Sequence, residues 1–531
     1  MKTSDVFVRK ASGLVRGMSG IDALVGNMLV ANLVFGAVGL LSIPSTWPGA
    51  SLVWSVVFSS IGATFVGIVY WLFGSTFPLS GGDYIYNSRV IHPATGFAFN
   101  VSAIFWAVLF LGVYGNWSMT IGLSGFLANI GVINNNPGLV QLSTYVSSPN
   151  VTFAVATIIN IVIALVVISG LKPSMLAQKV FLVVGMIGVV IAIVVLAATS
   201  HDVFVTRFNA FTDYNKVMTT ALNTPSQGQG FPILDNWNDL TAALMATGFS
   251  SLTVLYTQYN VYAGGELRNP KKNMFLAIIG SIVVLTPLVL LMAYALQFVV
   301  GSQFLGSLYY LFYSGANPLP VPPSFNFFAS IVAPNQFLLY AMGVGFVLWP
   351  LGTIIFVYTI ASRSIMAWSF DRILPDKMSQ VNRYRTPAYA ILACLILSEI
   401  SLYLYTYNVY FGTFIAASVV GIAGVYGLTC IAGIVFPWHR KELYKGSPAD
   451  IKVANIPLIV IGGVGGAIFM AVMLYGTLTN QFAGVWIYNP TAVLSSLIFI
   501  ILGYPIFYIS KVIRRRQGID LGQVYKEIPP A

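Results

Sequence analysis

Twelve apolar segments, each long enough to cross a lipid bilayer, dominate this chain. A helix needs about 20 consecutive apolar residues to span the hydrocarbon core, and only 8% of the 531 residues are charged, against about 25% in soluble domains. Because the runs are continuous and an open sheet edge cannot lie in hydrocarbon, they predict an all-α polytopic membrane protein. The predicted spans, numbered 1 to 12 from here on, are 21–44, 50–75, 95–130, 151–170, 176–199, 238–262, 273–300, 336–362, 387–407, 411–437, 456–478 and 491–512.

The basic residues give this set of spans an orientation. If successive loops alternate between the two sides, 24 of the 26 Lys and Arg residues share the side of the N-terminus, and only Arg207 and Lys216 lie opposite. Cytoplasmic loops carry such an excess, so we expect a multi-pass protein of the cytoplasmic membrane with both termini cytoplasmic. The predicted divisions are an N-terminal segment (1–20), a transmembrane domain (21–513) and a C-terminal tail (514–531). The net charge of +11 therefore indicates topology rather than nucleic-acid binding.

Histidines and cysteines are too few and too scattered for a recognisable metal or haem site. The three histidines are far apart in the sequence, and Cys394 and Cys430 both lie in apolar runs. Ligand spacings typical of metal sites are missing from the sequence. We therefore expect no metal and no cofactor.

Four stretches depart from the pattern of ordinary spanning helix. Span 1 contains VFGAVGLLSIPS, in which Gly36, Gly39 and Pro44 favour local unwinding, although a glycine pair also permits close helix packing. The other three stretches follow spans 2, 6 and 8. They read FPLSGGDYIYNSR (77–89), GGELRNPKKN (264–273) and SRSIMAWSFDRILP (362–375), the last followed by a Thr-Pro pair.

Taken together and in this order, these stretches resemble the amino acid-polyamine-organocation superfamily of secondary transporters. The resemblance extends over about residues 20 to 515. Its motif residues are Pro78, Gly81, Gly82, Tyr84, Tyr86 and Arg89 after span 2; Asn269, Pro270, Lys271 and Lys272 after span 6; and Ser362, Arg363, Asp371, Arg372 and Pro375 after span 8.

The resemblance implies a five-plus-five inverted repeat, formed by spans 1–5 and 6–10, with two additional helices. In such folds spans 1 and 6 break at mid-membrane, and free N–H groups at the half-helix ends hold the substrate carboxylate. Counting back from the Asn-Pro pair puts Tyr256 where the family has glycine and Gln258 where it has glutamate, so span 6 departs from the family pattern there. Gly248, Phe249, Ser250 and Ser251 lie further up the span and are the alternative location of its break. The expected substrate-binding residues are Gly36, Ala37, Val38 and Gly39 in span 1 and Phe249, Ser250, Ser251 and Thr253 in span 6.

The scarcity of acidic residues bears on the substrate. None lies near the middle of spans 1, 3, 6 or 8, and a second positive charge left unpaired there would cost several kcal/mol. We therefore expect neutral or broadly chosen amino acids, with polyamines or other organic cations as the alternative. Trp117, Tyr256 and Trp349 are candidates for gating residues or for ordinary helix packing.

Two residues are candidates for coupling transport to an ion. Glu399 is a carboxyl deep within span 9, where it either loads a proton or simply hydrogen-bonds a neighbouring helix. Thr353 in span 8 is a possible sodium ligand. A proton gradient, a sodium gradient and exchange all remain open.

The function predicted from the sequence is an amino acid permease that works by alternating access and is not an enzyme. A channel or receptor is the first rival, but no filter sequence is visible. An intramembrane enzyme is the second, but it would require clustered His, Asp or Glu in the spans. The expected partners are an amino acid and the lipid bilayer, with no nucleic acid, and the oligomeric state stays open.

Overall fold

Long apolar helices form nearly all of the structure, a computed structural model that describes residues 13–225, 230–333 and 335–525. Among these residues, eleven helices are long and apolar enough to cross a membrane, which confirms the helical polytopic class. They are Gly20–Thr46, Leu52–Thr76, Pro93–Ile133, Pro149–Ile168, Leu171–Ala197, Pro270–Tyr313, Gln336–Phe370, Ala388–Tyr407, Val409–His439, Leu458–Thr479 and Pro490–Arg516. Predicted span 6 is divided into shorter pieces, so the count of twelve stays a prediction.

Shorter elements connect the spans or follow the last one. They are the helices Asp83–Val90, Pro137–Val146, His201–Phe208, Tyr214–Asn223, Phe325–Ile331, Lys441–Tyr444 and Leu521–Val524, the 3-10 turns Asp376–Ser379 and Gln481–Ala483, and an antiparallel hairpin of Lys452–Val453 and Ile456–Pro457. Of the basic residues counted above, Lys2, Arg9, Lys10 and Lys526 lie outside the described residues. The predicted N-terminal segment and tail are therefore described only from residue 13 and up to residue 525.

Span 1 is interrupted five residues earlier than the sequence predicted. Its two helices are Gly20–Val30 and Leu33–Thr46. At the junction, the Asn32 side chain accepts hydrogen bonds from the amides of Val34 and Phe35, as an N-cap residue does. The prediction of unwinding at Gly36–Gly39 is wrong, because an asparagine that caps the second helix fixes the break at 31–32.

The two glycines instead allow spans 1 and 6 to approach closely. A Cβ atom on Gly36 would overlap the hydroxyl of Thr253, and one on Gly39 would lie 2.6 Å from the carbonyl oxygen of Phe249. The alternative that the sequence left open, close packing of two helices through small residues, is therefore confirmed.

Span 6 breaks after the predicted segment rather than within it. Its helices are Leu240–Met245 and Thr247–Val254, followed after a turn by the 3-10 segments Tyr259–Tyr262 and Gly264–Glu266. The prediction that residues 248–251 form the break is wrong, since the helix continues until the Leu255 amide donates to the Ser251 carbonyl.

A pair of asparagines holds the chain beyond the break in span 6. Asn27 of span 1 donates to the Asn260 side chain over 2.9 Å, and the Asn260 amide donates back to the Asn27 side chain over 2.8 Å. These bonds replace the helical partners that the broken segment lacks, as buried backbone groups require. The two interrupted spans are therefore joined to each other at their breaks.

Both ends of the described chain lie at the same end of the helix bundle. The Met18 amide donates to the Glu266 carbonyl, and Arg514 donates to the Arg372 carbonyl. We call this the basic end, because the sequence places most Lys and Arg residues there, and the opposite one the far end.

Candidate functional site

A cavity of about 300 Å³ lies between the interrupted spans and spans 3 and 10. Tyr313 and Gly412, two lining residues on far-end segments, are exposed, so the cavity opens toward the far end. Its lining residues are Val30, Asn32, Phe35, Val38, Gly39, Ser42, Ala107, Phe110, Tyr114, Trp117, Phe249, Leu252, Tyr256, Tyr259, Tyr313, Val357, Tyr405, Gly412, Ile415, Ala416, Ser418, Val419, Ile422 and Ala483.

Aromatic side chains form much of the cavity wall. Phe35 stacks on Tyr114 with 5.1 Å between ring centroids, and it meets Trp117 edge-on at 4.8 Å. The Trp117 indole donates a 2.8 Å hydrogen bond to the Tyr405 hydroxyl. None of the lining residues is Asp, Glu, Lys, Arg or His. The wall can therefore hold apolar groups and offer π faces, but it offers no ionic partner.

The predicted substrate-binding residues divide into two groups. Val38, Gly39 and Phe249 line the cavity. Gly36, Ala37, Ser250, Ser251 and Thr253 do not: Gly36 packs on Thr253, Ala37 is buried, and Ser250 shares a 2.7 Å hydrogen bond with Ser59 of span 2 while Ser251 donates to Met473. The sequence reasoning missed most of the aromatic lining, although the density of Tyr, Phe and Trp in spans 3 and 6 was visible.

Of the three aromatic gating candidates, two line the cavity. Trp117 and Tyr256 are both on its wall, whereas Trp349 is fully buried against Gly185 of span 5. Trp349 therefore packs one helix on another, which was the alternative interpretation.

Thr353 lies beside the break in span 1. Its hydroxyl donates to the Leu29 carbonyl over 2.6 Å and accepts from the Asn32 amide over 2.9 Å. The carbonyl freed by the break thus has a partner from span 8. Hydroxyl and carbonyl oxygens such as these are typical ligands of hard cations. In this structure the Thr353 hydroxyl is hydrogen-bonded to the Leu29 carbonyl.

Glu399 lies away from the cavity, between spans 9 and 4. One of its oxygens accepts a 2.7 Å bond from Thr157, and the other accepts a 2.9 Å bond from Asn160. This contact matches the structural alternative for Glu399, a carboxyl hydrogen-bonded to a neighbouring helix.

Two buried ion pairs occupy the basic end. Arg363 pairs with Glu266 at 2.9 Å, with each side chain 1% exposed, and Arg89 pairs with Asp371 at 2.7 Å. Tyr84 donates a 2.6 Å hydrogen bond to the same aspartate. Arg89, Arg363 and Tyr84 are motif residues, so the motif supplies the contacts that join spans 2, 6 and 8 at this end.

The remaining motif residues shape the backbone. Gly81 and Gly82 have φ values of 108° and 54°, a region that favours glycine, and they lead into the helix that carries Tyr84 and Arg89. Asn269 has a φ of 42° and precedes Pro270, the first residue of span 7, a position where proline is favoured.

Asp83 is a functional candidate that the sequence reasoning missed. It lies in the connection between spans 2 and 3, fully buried, and accepts hydrogen bonds from Tyr70 (3.0 Å), Tyr262 (2.8 Å) and Asn100 (2.6 Å). Burial raises the pKa of Asp83 to about 6, although the hydrogen bonds oppose the shift. Its place in the GGDY sequence, between two motif glycines and a motif tyrosine, was the available signal.

A family model described as amino acid permease matches residues 26–507. The chain belongs to the amino acid permease family. This match confirms the superfamily resemblance seen in the sequence motifs. Members of this family are transporters, so the permease is a transporter. A comparison with curated proteins finds no match.

Large apolar side chains on the outer helices suit a membrane environment. Ile158, Val183, Ile396 and Ile468 are each more than half exposed on long spanning helices. Exposed apolar surface on this scale requires a nonaqueous neighbour, so a lipid bilayer surrounds the permease.

Proposed function

We propose that the permease moves amino acids with uncharged side chains across the cytoplasmic membrane by alternating access. The observation that carries this proposal is the absence of any charged residue among the cavity's lining residues, all of which the structure describes. A lysine or arginine substrate would leave its side-chain charge unpaired in a site of low dielectric. Aliphatic and aromatic substrate side chains would instead replace water against similar groups.

Val38, Gly39 and Phe249, with the break of span 6 at residues 255–258, are the proposed contacts for the substrate. In span 1 the Asn32 side chain already accepts from the amides at the helix start. A carboxylate bound there would displace the Asn32 oxygen and take over its donors. The backbone of Gly36 and Ala37 would then support the site from behind, within the helix.

The orientation and the driving ion belong to the same proposal. The basic end faces the cytoplasm, as the excess of Lys and Arg favours, and the cavity then faces outward in this conformation. The coupling candidates are a proton or a sodium ion, or the permease exchanges one amino acid for another. Should sodium be the driving ion, Thr353 is the proposed ligand, because of its bonds at the break in span 1.

A second candidate substrate class is a small organic cation. Nine aromatic side chains line the cavity, and the faces of Trp and Tyr rings attract amines and quaternary ammonium groups without a carboxylate. This alternative differs from the main proposal in requiring no substrate carboxylate.

Uptake into proteoliposomes tests the proposal. Labelled leucine, phenylalanine, lysine and choline would be offered separately, with sodium, lithium or potassium as the external cation. We expect uptake of leucine or phenylalanine and little uptake of lysine. Uptake of choline alone would establish the second candidate, and no uptake or exchange of any amino acid would overturn the proposed function. If only sodium supports uptake and Thr353→Val removes that dependence while Thr353→Ser keeps it, Thr353 is a ligand.

A further inference from the structure

Asp83 differs from the other buried carboxylates of the described chain. Those are Asp22, Glu266 and Asp371, and each has a basic partner: Lys179, Arg363 and Arg89 respectively. Asp83 is fully buried and forms no salt bridge within the described residues. A carboxylate buried without a cation is held in its charged form only by hydrogen bonds.

The groups that face Asp83 come from four parts of the permease, and those that titrate are tyrosines. Tyr70 projects from span 2 and Tyr262 from the broken part of span 6, and both donate to the same carboxylate oxygen. Asn100 of span 3 donates to the other oxygen and accepts from Trp368 of span 8. On the helix of Asp83 itself, Tyr86 is a close neighbour, and Arg89 is committed to Asp371. Beyond Tyr70 lie Tyr426, Thr429 and Cys430 of span 10.

A column of tyrosines connects this carboxylate with the cavity. Tyr256 and Tyr259 line the cavity, and their ring centroids are 5.7 Å apart. The ring centroids of Tyr259 and Tyr262 are 5.6 Å apart, and the Tyr262 hydroxyl donates a 2.8 Å hydrogen bond to Asp83. A phenol hydroxyl both donates and accepts hydrogen bonds, and proton relays inside membrane proteins run along chains of titratable side chains. Ring contacts thus link the cavity wall to the hydroxyl that donates to Asp83.

We propose that Asp83 is the proton-binding site of the permease, loaded through the Tyr256–Tyr259–Tyr262 column while the basic end is closed and emptied when that end opens. The bound proton neutralises a carboxyl that has no cation partner. When spans 2, 3 and 6 separate at the basic end, water reaches Asp83, the carboxylate becomes the favoured form, and the proton leaves toward that side. This coupling rests on the transport function proposed above and names its driving ion.

Thermodynamic linkage gives the direction and the size of the coupling between proton binding at Asp83 and closure of the basic end. Burial raises the pKa of Asp83 to about 6 in the closed form, whereas a hydrated aspartate titrates near 3.9. The closed form therefore binds the proton up to about 100-fold more tightly than the open form. Protonation favours closure of the basic end, and proton release favours its opening.

The first test compares accumulation with exchange in proteoliposomes that carry the permease. We expect the wild type to accumulate labelled leucine or phenylalanine when the outside is acidic. Asp83→Asn mimics the protonated form and has no proton to release, so it should keep exchange of labelled for unlabelled amino acid but lose acid-driven accumulation. Accumulation by Asp83→Asn equal to that of the wild type would overturn the proposal.

A second test uses a milder pair of variants in case Asp83→Asn fails to fold. Tyr262→Phe removes a donor to the charged carboxylate, so the midpoint of the pH profile of uptake should move to higher pH. Because it also removes the last hydroxyl of the column, the rate of acid-driven uptake should fall. Tyr86→Phe is the matched control, because the Tyr86 hydroxyl is buried on the helix of Asp83 and has no hydrogen-bond partner in the described part of the chain. Its midpoint should stay at the wild-type value. Equal shifts in both variants, or no shift in Tyr262→Phe, would contradict the role of Asp83.

The outcomes separate this inference from the proposed function. Exchange of amino acids by a wild type whose uptake ignores pH would overturn the proton site and leave the transport function standing. No uptake and no exchange of any amino acid by the wild type would overturn the transport function, and with it this inference. Loss of pH dependence in Glu399→Gln but not in Asp83→Asn would transfer the role to span 9.

Discussion

The two ends of the permease are held together by different kinds of contact. At the basic end, buried charges pair across spans, as in Arg363–Glu266 and Arg89–Asp371. Toward the far end, apolar and aromatic side chains border an open cavity, and no charge lines it. Buried ion pairs tolerate little change in geometry, whereas apolar surfaces can repack at small cost. The basic end is therefore held by contacts that depend closely on geometry, and the far end by contacts that can repack.

The largest effect should follow from removing one partner of a buried ion pair. Arg363→Met leaves Glu266 buried and charged without a cation, which should cost about 3–5 kcal/mol of stability. Thermal unfolding followed by size-exclusion chromatography in detergent would measure it. The matched control is Asp376→Asn, because its side chain, which pairs with Arg372, is 59% exposed and pairs that reach the solvent contribute about 1 kcal/mol or less. Equal losses in the two variants would remove the distinction between buried and exposed charges.

A bulky side chain at the contact between spans 1 and 6 should have the next largest effect on stability. Gly36→Leu forces a side chain into Thr253, and overpacking of this kind costs about 1–3 kcal/mol. We expect uptake to be lost while some protein still reaches the membrane. Gly125→Leu, at a helical glycine with nothing within 4 Å of the added Cβ, should transport as the wild type does. Normal uptake by Gly36→Leu would show that this contact is not required.

The fold at the basic end was only partly predictable from the sequence. The motif residues indicated which loops matter, but the partners of Arg89 and Arg363 are distant in sequence and emerged only from the packed bundle. Glycines were the wrong guide to the break in span 1, because a small residue signals close packing as readily as unwinding. Asn27 and Asn32, polar residues inside an apolar run, were the better signal, since each bonds to backbone freed by a break.

The site was less predictable than the spans. A continuous apolar run predicts a spanning helix whether that helix faces lipid or other helices. The same run does not show which of its side chains border a cavity. Val38, Gly39 and Phe249, which were chosen by their positions in spans 1 and 6, line one cavity, whereas the Ser250 hydroxyl bonds to Ser59 within the bundle.

Asp83 predicts how stability at the basic end depends on pH. Its pKa is raised by burial to about 6 from 3.8, so the folded form binds this proton more tightly than the unfolded form does. Its contribution to stability is therefore fully present below about pH 4 and is lost as the pH rises through about 6. Between about pH 4 and about pH 7.5, the wild type should lose about 2 kcal/mol more than Asp83→Asn. Parallel pH profiles for the two proteins would contradict the burial of an unpaired charge.

Glu399 should give the smallest effect. Glutamine keeps groups that can bond to Thr157 and Asn160, so Glu399→Gln should change stability by less than about 1 kcal/mol. The pH midpoint of uptake should also match that of the wild type. A shifted midpoint would mean that span 9 carries a proton and that its contact with span 4 is more than packing.

Labelling of single cysteines tests most directly whether one end is open while the other is closed. Cys394 and Cys430 are buried, so they contribute little background to reaction with a membrane-impermeant maleimide. Val38→Cys places a thiol on the cavity wall, and Ser88→Cys places one beside Arg89, where the side chain is 2% exposed. Without substrate, we expect Val38→Cys to react from the far side, to be protected by a transported amino acid, and Ser88→Cys to react from neither side. Rapid labelling of Ser88→Cys together with an unreactive Val38→Cys would contradict a permease that rests with its far end open and its basic end closed.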